Sequence, residues 1–198
     1  MYMSIIKSAY EIAMENTKNV SGDKESLQAS KFKTEGKKIV SQYLDDSVEN
    51  IKDELKKYKD KELKWVKEGV LEALLSNMVL PANDFSLEKT KKVGEGFFSI
   101  LKDAKKLGMM LNELEHFFKE YLEERERLTE AVKQQFMPKL RQKEEELSKQ
   151  LGAPIKIDPA SDPEYTAFLR QNLSKLEGKY SEVLKRVKDE IRSIYSNK

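Results

Sequence analysis

The chain contains no cysteine. That removes disulfides, thiolate zinc sites, iron–sulfur clusters and cysteine nucleophiles together. A single histidine, His116, leaves little material for imidazole-based catalysis or metal binding. Eight glycines and five prolines in 198 residues leave few places to turn, so the elements must be few and long. No apolar run approaches the roughly 18 residues that a membrane-spanning helix needs. Near the N-terminus Lys7, Glu11 and Glu15 interrupt the apolar pattern, which argues against a signal-peptide core. The expected compartment is the cytoplasm.

What is abundant is charge. Charged residues make up 36% of the chain and apolar ones 38%, the mixture that helices with one buried stripe require. The 37 basic and 35 acidic residues leave a net charge of +2, which demands no polyanionic partner.

Apolar spacing then divides the chain. Ser4 can cap a short helix to about Asn16, ended by Asn19-Val20-Ser21-Gly22-Asp23. A second helix is expected over residues 24–79, because Leu44, Val48, Ile51, Leu55, Tyr58, Glu62 and Trp65, all but Glu62 apolar, fall on alternating steps of four and three. Gly36 and Gly69 are weak points within it, each costing about 1 kcal/mol relative to alanine. Pro81-Ala82-Asn83-Asp84 is a turn, with Asp84 or Ser86 as the next cap. A third helix extends to Leu151 on the seam Leu107, Leu111, Leu114, Phe118, Tyr121, Leu128 and Val132, irregular at Gly94-Glu95-Gly96 and kinked or broken near Met137 by Pro138. Arg125 falls on a seam position, where it fixes register or snorkels to the surface. Gly152 ends this helix, and residues 155–157 form an extended stretch or minimal strand. Asp162 with Pro163 opens the last helix; Ser161 with Glu164 is the rival capping box.

Short turns between long helices imply antiparallel neighbours. The expected fold is therefore all-α: an elongated antiparallel bundle or coiled coil, with three long helices and a short N-terminal one. It forms a single elongated domain over residues 1–198, with a two-helix arm at about 58–104 and a body from about 1–57 and 105–198. Leu111, Leu114, Phe118, Leu176, Tyr180 and Val183 should share one core. In the arm, Trp65, Val66, Val70, Leu71, Leu74, Leu75, Met78, Phe97, Phe98, Leu101, Met109 and Met110 exceed what two narrow stripes can bury. Neighbours such as Leu74 and Leu75 point about 100° apart around a helix. Part of this set is expected to protrude as an interaction patch.

Chemistry is harder to place. Glu113-Leu114-Glu115-His116 has the Glu-x-x-His spacing of di-iron bundles, but such sites need the motif twice and the chain has one histidine. No glycine-framed serine accompanies it, and Gly94 with Gly96 lacks the context of a phosphate loop. The sequence points to no catalytic residue, cofactor or metal. Lys56, Lys57, Lys61, Lys64, Lys91, Lys92, Lys102 and Lys105 could line an anion-binding surface, although acidic residues interleave and arginine is almost absent there.

Three stretches, Ile6-Lys7-Ser8-Ala9-Tyr10-Glu11-Ile12-Ala13-Met14, Phe117-Phe118-Lys119-Glu120-Tyr121-Leu122-Glu123-Glu124-Arg125-Glu126-Arg127-Leu128, and Lys156-Ile157-Asp158-Pro159 leading into Asp162-Pro163-Glu164-Tyr165, together resemble an uncharacterised bacterial family of highly charged, all-helical proteins. The resemblance implies no activity. The expected function is that of a non-enzymatic interaction or scaffold protein acting through helix packing, as a homodimer or with another helical protein. Weak binding to nucleic acid or an anionic surface through the lysine-rich arm is the alternative.

Overall fold

The computed structural model describes the backbone of residues 9–196 and the side chains from Lys24 onward. The expected cap at Ser4 lies outside the described residues. Every regular element is helical: α1 (Ala9–Leu44), α2 (Ile51–Leu55), α3 (Asp60–Asn77), α4 (Asp84–Gly96), α5 (Ala104–Leu151) and α6 (Pro163–Ser196). Two single turns of 3₁₀ helix, Phe97–Ser99 and Pro159–Ser161, join them. No strand occurs among the described residues.

The chain groups into two compact units. One holds the residues up to Asn77 together with Val93–Lys102; the other holds Met78–Lys92 and everything from Asp103 onward. Within the first unit the helix expected over residues 24–79 is interrupted at residues 45–50. Leu44, Val48 and Ile51 keep the apolar spacing, yet the residues between them favour local hydrogen bonds over helix. Asp45 accepts from Ser47 N–H at 3.0 Å, and Val48 N–H closes the helix end on the Gln42 carbonyl at 3.0 Å. Asp46 takes the left-handed conformation at φ 65°, which aspartate tolerates better than most residues. Asn50 then caps α2 by accepting from Lys52 N–H at 2.8 Å. The single helix expected over residues 24–79 is thus three helices. The break expected at residues 19–23 is absent, because α1 runs through them: that segment contains no proline, and one glycine costs only about 1 kcal/mol.

In the first unit α1 and α3 run parallel. Glu25 pairs with Lys61 at 2.9 Å, Lys33 with Glu68 at 3.1 Å and Lys37 with Glu72 at 2.8 Å, so residue numbers climb together along both helices. The expectation here was one continuous helix through both. Residues 45–59 instead form a crossover, and at about 3.3 Å per extended residue it easily spans the roughly 29 Å back to the level of Glu25. Phe32 stacks on Trp65 and meets the edge of Tyr58, both at 6.1 Å between centroids. Gly36 and Gly69 lie where the two backbones touch. A Cβ on Gly36 would sit 2.2 Å from the Val66 carbonyl oxygen, and one on Gly69 would sit 2.1 Å from that of Lys33. They are contact points, not weak points.

In the second unit α5 and α6 run antiparallel. Lys106 reaches Glu190, Glu124 reaches Tyr180, and Lys139 reaches Glu164. Leu114, Phe118, Tyr121, Leu176, Leu184 and Ile191 are buried. Of the expected core, Leu111, Tyr180 and Val183 are only half-buried. Asp103 caps α5 by accepting from Lys106 N–H at 2.9 Å, and the helix continues unbroken through Pro138 for 48 residues. Gly152, at φ 69°, ends it with its N–H on the Ser148 carbonyl. Residues 155–157 form no strand. They are pinned to α5, with Ile155 N–H donating to Ser148 Oγ at 2.9 Å and Ile157 N–H to Glu144 at 2.8 Å. Buried Asp162 caps α6, accepting from Glu164 and Tyr165 N–H, while Lys143 Nζ donates to it at 2.6 Å. That ion pair, followed by the Tyr165 N–H, holds its carboxyl below the usual range. The Ser161 capping box is not used.

A candidate docking site beside the α4 cap

Most of the set from which an interaction patch was expected is core. Val66, Val70, Leu71, Leu74, Leu75, Met78, Phe97 and Leu101 are buried; Trp65, Phe98 and Met110 are half-buried; Met109 alone is exposed. α3 is covered on more than one side, which its adjacent apolar pairs permit. Gly96 shows how tightly: a Cβ there would meet Leu74 at 2.7 Å and Ile51 at 3.3 Å.

The eight lysines are divided between the two units. Lys56, Lys57, Lys61, Lys64 and Lys102 belong to the first unit, and Lys91, Lys92 and Lys105 to the second. Lys56 binds Asp53 at 2.7 Å, Lys57 binds Glu54 at 2.6 Å, Lys61 binds Glu25, and Lys91 binds Glu88 at 3.0 Å and Glu115 at 3.2 Å. His116 is exposed, and no group of three metal-ligating side chains occurs among the described residues.

A different place stands out in the second unit, where the 79–86 segment meets α5. The cap of α4 is Asn83, not Asp84 or Ser86. Asn83 Oδ1 accepts from Ser86 N–H at 2.9 Å, and Ser86 Oγ accepts in turn from Ala82 N–H at 2.7 Å and Asn83 N–H at 2.9 Å. This reciprocal box satisfies the Ser86 N–H of the first turn and the two N–H groups that precede the helix. Arg125, half-buried on α5, donates from Nη1 to the Ala82 carbonyl at 2.9 Å and ties the segment down. The seam position of Arg125 was legible; its partner was not.

On either side of that tie lies an open depression. The larger, about 670 Å³, is lined by Ala82, Asn83 and Asp84 from the cap and by Lys119, Leu122, Glu123, Arg125, Glu126, Thr129 and Glu130 from α5. The smaller, about 220 Å³, lies between Leu80, Pro81 and Ala82 and the side chains of Tyr121, Arg125, Glu177 and Ser181. Burial and Glu177 push the Tyr121 phenol up, against a downward pull from Arg125. Next to Asp84 in the chain, Phe85 is 83% exposed, and Val79 at the other end of the segment is 53% exposed.

The electrostatics are lopsided. Lys119 is engaged by Glu115 at 2.7 Å, and this bond, with Lys91 adding to it, holds the Glu115 carboxyl below its usual range. Arg125 donates to the neutral Ala82 carbonyl and keeps its charge, and Glu130 has Lys133 at 3.8 Å. Asp84, Glu123 and Glu126 have no cation within ion-pair distance among the described residues. Sequence reasoning missed Phe85. Its signal was phase: Leu87, Thr90 and Val93 form the buried stripe of α4, while Phe85 falls with Glu88, Lys89 and Lys92 on the polar side.

Fold and site together describe an all-α protein of two helical units, the second of which carries an open depression beside the α4 cap. The chain belongs to a family of unknown function, DUF6657, whose pattern matches residues 52–193. The match begins within α2, so α1 lies outside it. No curated protein and no solved structure matches the chain. No described helix is long and apolar enough to cross a membrane.

Proposed function

We propose that this chain is a non-catalytic interaction protein of the cytoplasm, and that it captures a protein partner beside the α4 cap. In this reading the α5–α6 pair serves as a coiled-coil-like support holding the docking segment in place. One observation carries the proposal: Phe85 is 83% exposed on a first turn fixed by a capping box, beside an open depression. An aromatic ring held in water on a rigid element is costly unless something covers it, and aromatic anchors dominate protein interfaces. Self-association through the expected arm is a weaker form of the same idea, because its apolar residues are mostly core. An anion surface on the lysines is weaker still, since carboxylates engage Lys56, Lys57, Lys61 and Lys91.

The test is site-specific photo-crosslinking in the native host. A photoreactive phenylalanine analogue is placed at position 85 and, for comparison, at Leu151, which is also exposed at 65%. The expected outcome is a discrete protein adduct from position 85 that position 151 does not give. The same background from both positions overturns the proposal.

A further inference from the structure

We infer that the partner docking at Phe85 is a basic amphipathic helix, a conclusion that rests on the proposed function and adds the chemistry of the occupant. The depression offers apolar contact through Leu122, the exposed Phe85 follows its lining residue Asp84 in the chain, and its charge is mostly of one sign. Four carboxylates line it, those of Asp84, Glu123, Glu126 and Glu130, against two cations, Lys119, which Glu115 already pairs, and Arg125, which keeps its charge while it donates to the Ala82 carbonyl. A ligand approaching this wall therefore meets net negative potential, and complementary charge is what it must bring.

The spacing specifies more. Glu123, Glu126 and Glu130 follow one another at three and four residues along α5, so their carboxylates form a row rising about 5 Å per step. Lysine or arginine at positions i, i+3 and i+7 of a second helix repeats that row. The opposite face of such a helix carries apolar residues at the same period and can close over Phe85. Two other occupants fit poorly. A second copy using this surface would bring the same three carboxylates against themselves, and a nucleic acid would bring phosphates against them.

The experiment measures binding of the full chain to two synthetic helical peptides of about 18 residues, long enough for five turns. One is built from leucine and lysine in an amphipathic pattern; the other has glutamate at every lysine position. The expected result is binding of the lysine peptide alone, weakening as ionic strength rises from roughly 0.1 to 1 M. The double variant E123K/E126K should weaken it roughly tenfold or more, as should Phe85→Ala, with the circular dichroism spectrum unchanged. The matched variant E145K/E182K, which alters net charge equally at exposed sites outside the depression, should leave binding within about twofold. Equal weakening by both double variants overturns the inference, because the attraction is then generic. So does binding of the glutamate peptide, or a wild-type dimer by light scattering that Phe85→Ala dissolves. A crosslinked partner from position 85 whose capture is indifferent to E123K/E126K overturns this inference and leaves the proposed function standing.

Discussion

α1 and α3 meet backbone to backbone; α5 and α6 meet ring to ring. In the first pair the close approach is made by Gly36 and Gly69, where any side chain would intrude on the facing carbonyl. In the second, Phe117 and Tyr121 both pack against Tyr180, at 4.9 and 5.0 Å between centroids, and Phe136 packs against Tyr165 at 5.7 Å and Phe168 at 5.9 Å. Aromatic volume keeps two helices at ordinary separation and is tolerant of small shifts, whereas a glycine contact allows one register only. The two pairs also differ in direction, parallel in one and antiparallel in the other. A long crossover permits the first, and an 11-residue connection pinned to α5 through Ser148 and Glu144 fixes the second. The same composition of charged, amphipathic helix thus serves two packing solutions, and the difference is decided by a few small or aromatic residues.

The largest expected effect tests the aromatic pair. Phe118 is 2% exposed on α5, and Phe118→Ala deletes a ring with no means of refilling its space. Unfolding free energy should fall by about 3–5 kcal/mol, as for buried phenylalanines generally. Urea denaturation followed by circular dichroism measures it. A loss under about 1 kcal/mol would mean that the α5–α6 contact closes over the gap and that its packing is looser than the ring geometry implies.

A smaller effect tests the glycine pair. Gly69→Ala adds one methyl group, yet its Cβ would lie 2.1 Å from the Lys33 carbonyl oxygen and 2.8 Å from the carbonyl carbon, both backbone atoms that no rotamer change can move. The helices must part, at a cost of about 1–3 kcal/mol. Trp65 is the only tryptophan and stacks on Phe32 beside the contact, so its fluorescence reports the separation directly. The control lies in the other pair. Gly178 on α6 has nothing within 4 Å of its Cβ position, so Gly178→Ala should stabilise by about 0.5–1 kcal/mol through helix propensity. Equal effects from the two substitutions would erase the distinction drawn between the pairs.

These two glycines also mark where the sequence stopped being legible. Gly36 and Gly69 read as flaws because propensity is a local quantity, and the contact that makes them necessary is 33 residues distant in the chain. The helix break at residues 45–50 was hidden for a similar reason. Leu44, Val48 and Ile51 satisfied the seam, and apolar spacing does not register Asp45 and Asn50, whose side chains accept from Ser47 and Lys52 N–H and turn the chain. Strong local signals were read correctly: Asp162 with Pro163 opens α6, Gly152 closes α5, and Leu114, Phe118 and Leu176 are buried. At the docking site the turn around Pro81 was visible and Arg125 was marked as unusual, but Phe85 went unnoticed. Apolar residues were counted by number in the arm, and the informative one was the one out of phase.

The smallest effect concerns the polar rim of the aromatic pair. Tyr180 Oη donates to Glu124 Oε2 at 2.7 Å, across the α5–α6 contact. Burial first, then this bond and the Glu124 charge, push the phenol up from 10.0 to about 12. The sign follows from which form the fold prefers. The folded state holds the phenolic proton more tightly than the unfolded chain, so its contribution is fully present below pH 10 and is lost as pH rises towards about 12. Tyr180→Phe keeps the ring contacts with Phe117 and Tyr121 and removes only the hydroxyl. It should cost about 1 kcal/mol at neutral pH, the usual net worth of such a bond. The gap between wild type and Tyr180→Phe should then narrow as pH climbs through that window, because the wild type alone has a phenol to deprotonate at this position. Lysines also titrate there, which is why the difference between the two proteins, and not either curve alone, carries the test. Paired urea denaturations at pH 7, 10 and 11.5 measure it. A gap that stays constant across the three would show that the hydroxyl of Tyr180 faces water in solution, and that the aromatic contact alone joins the two helices at this level.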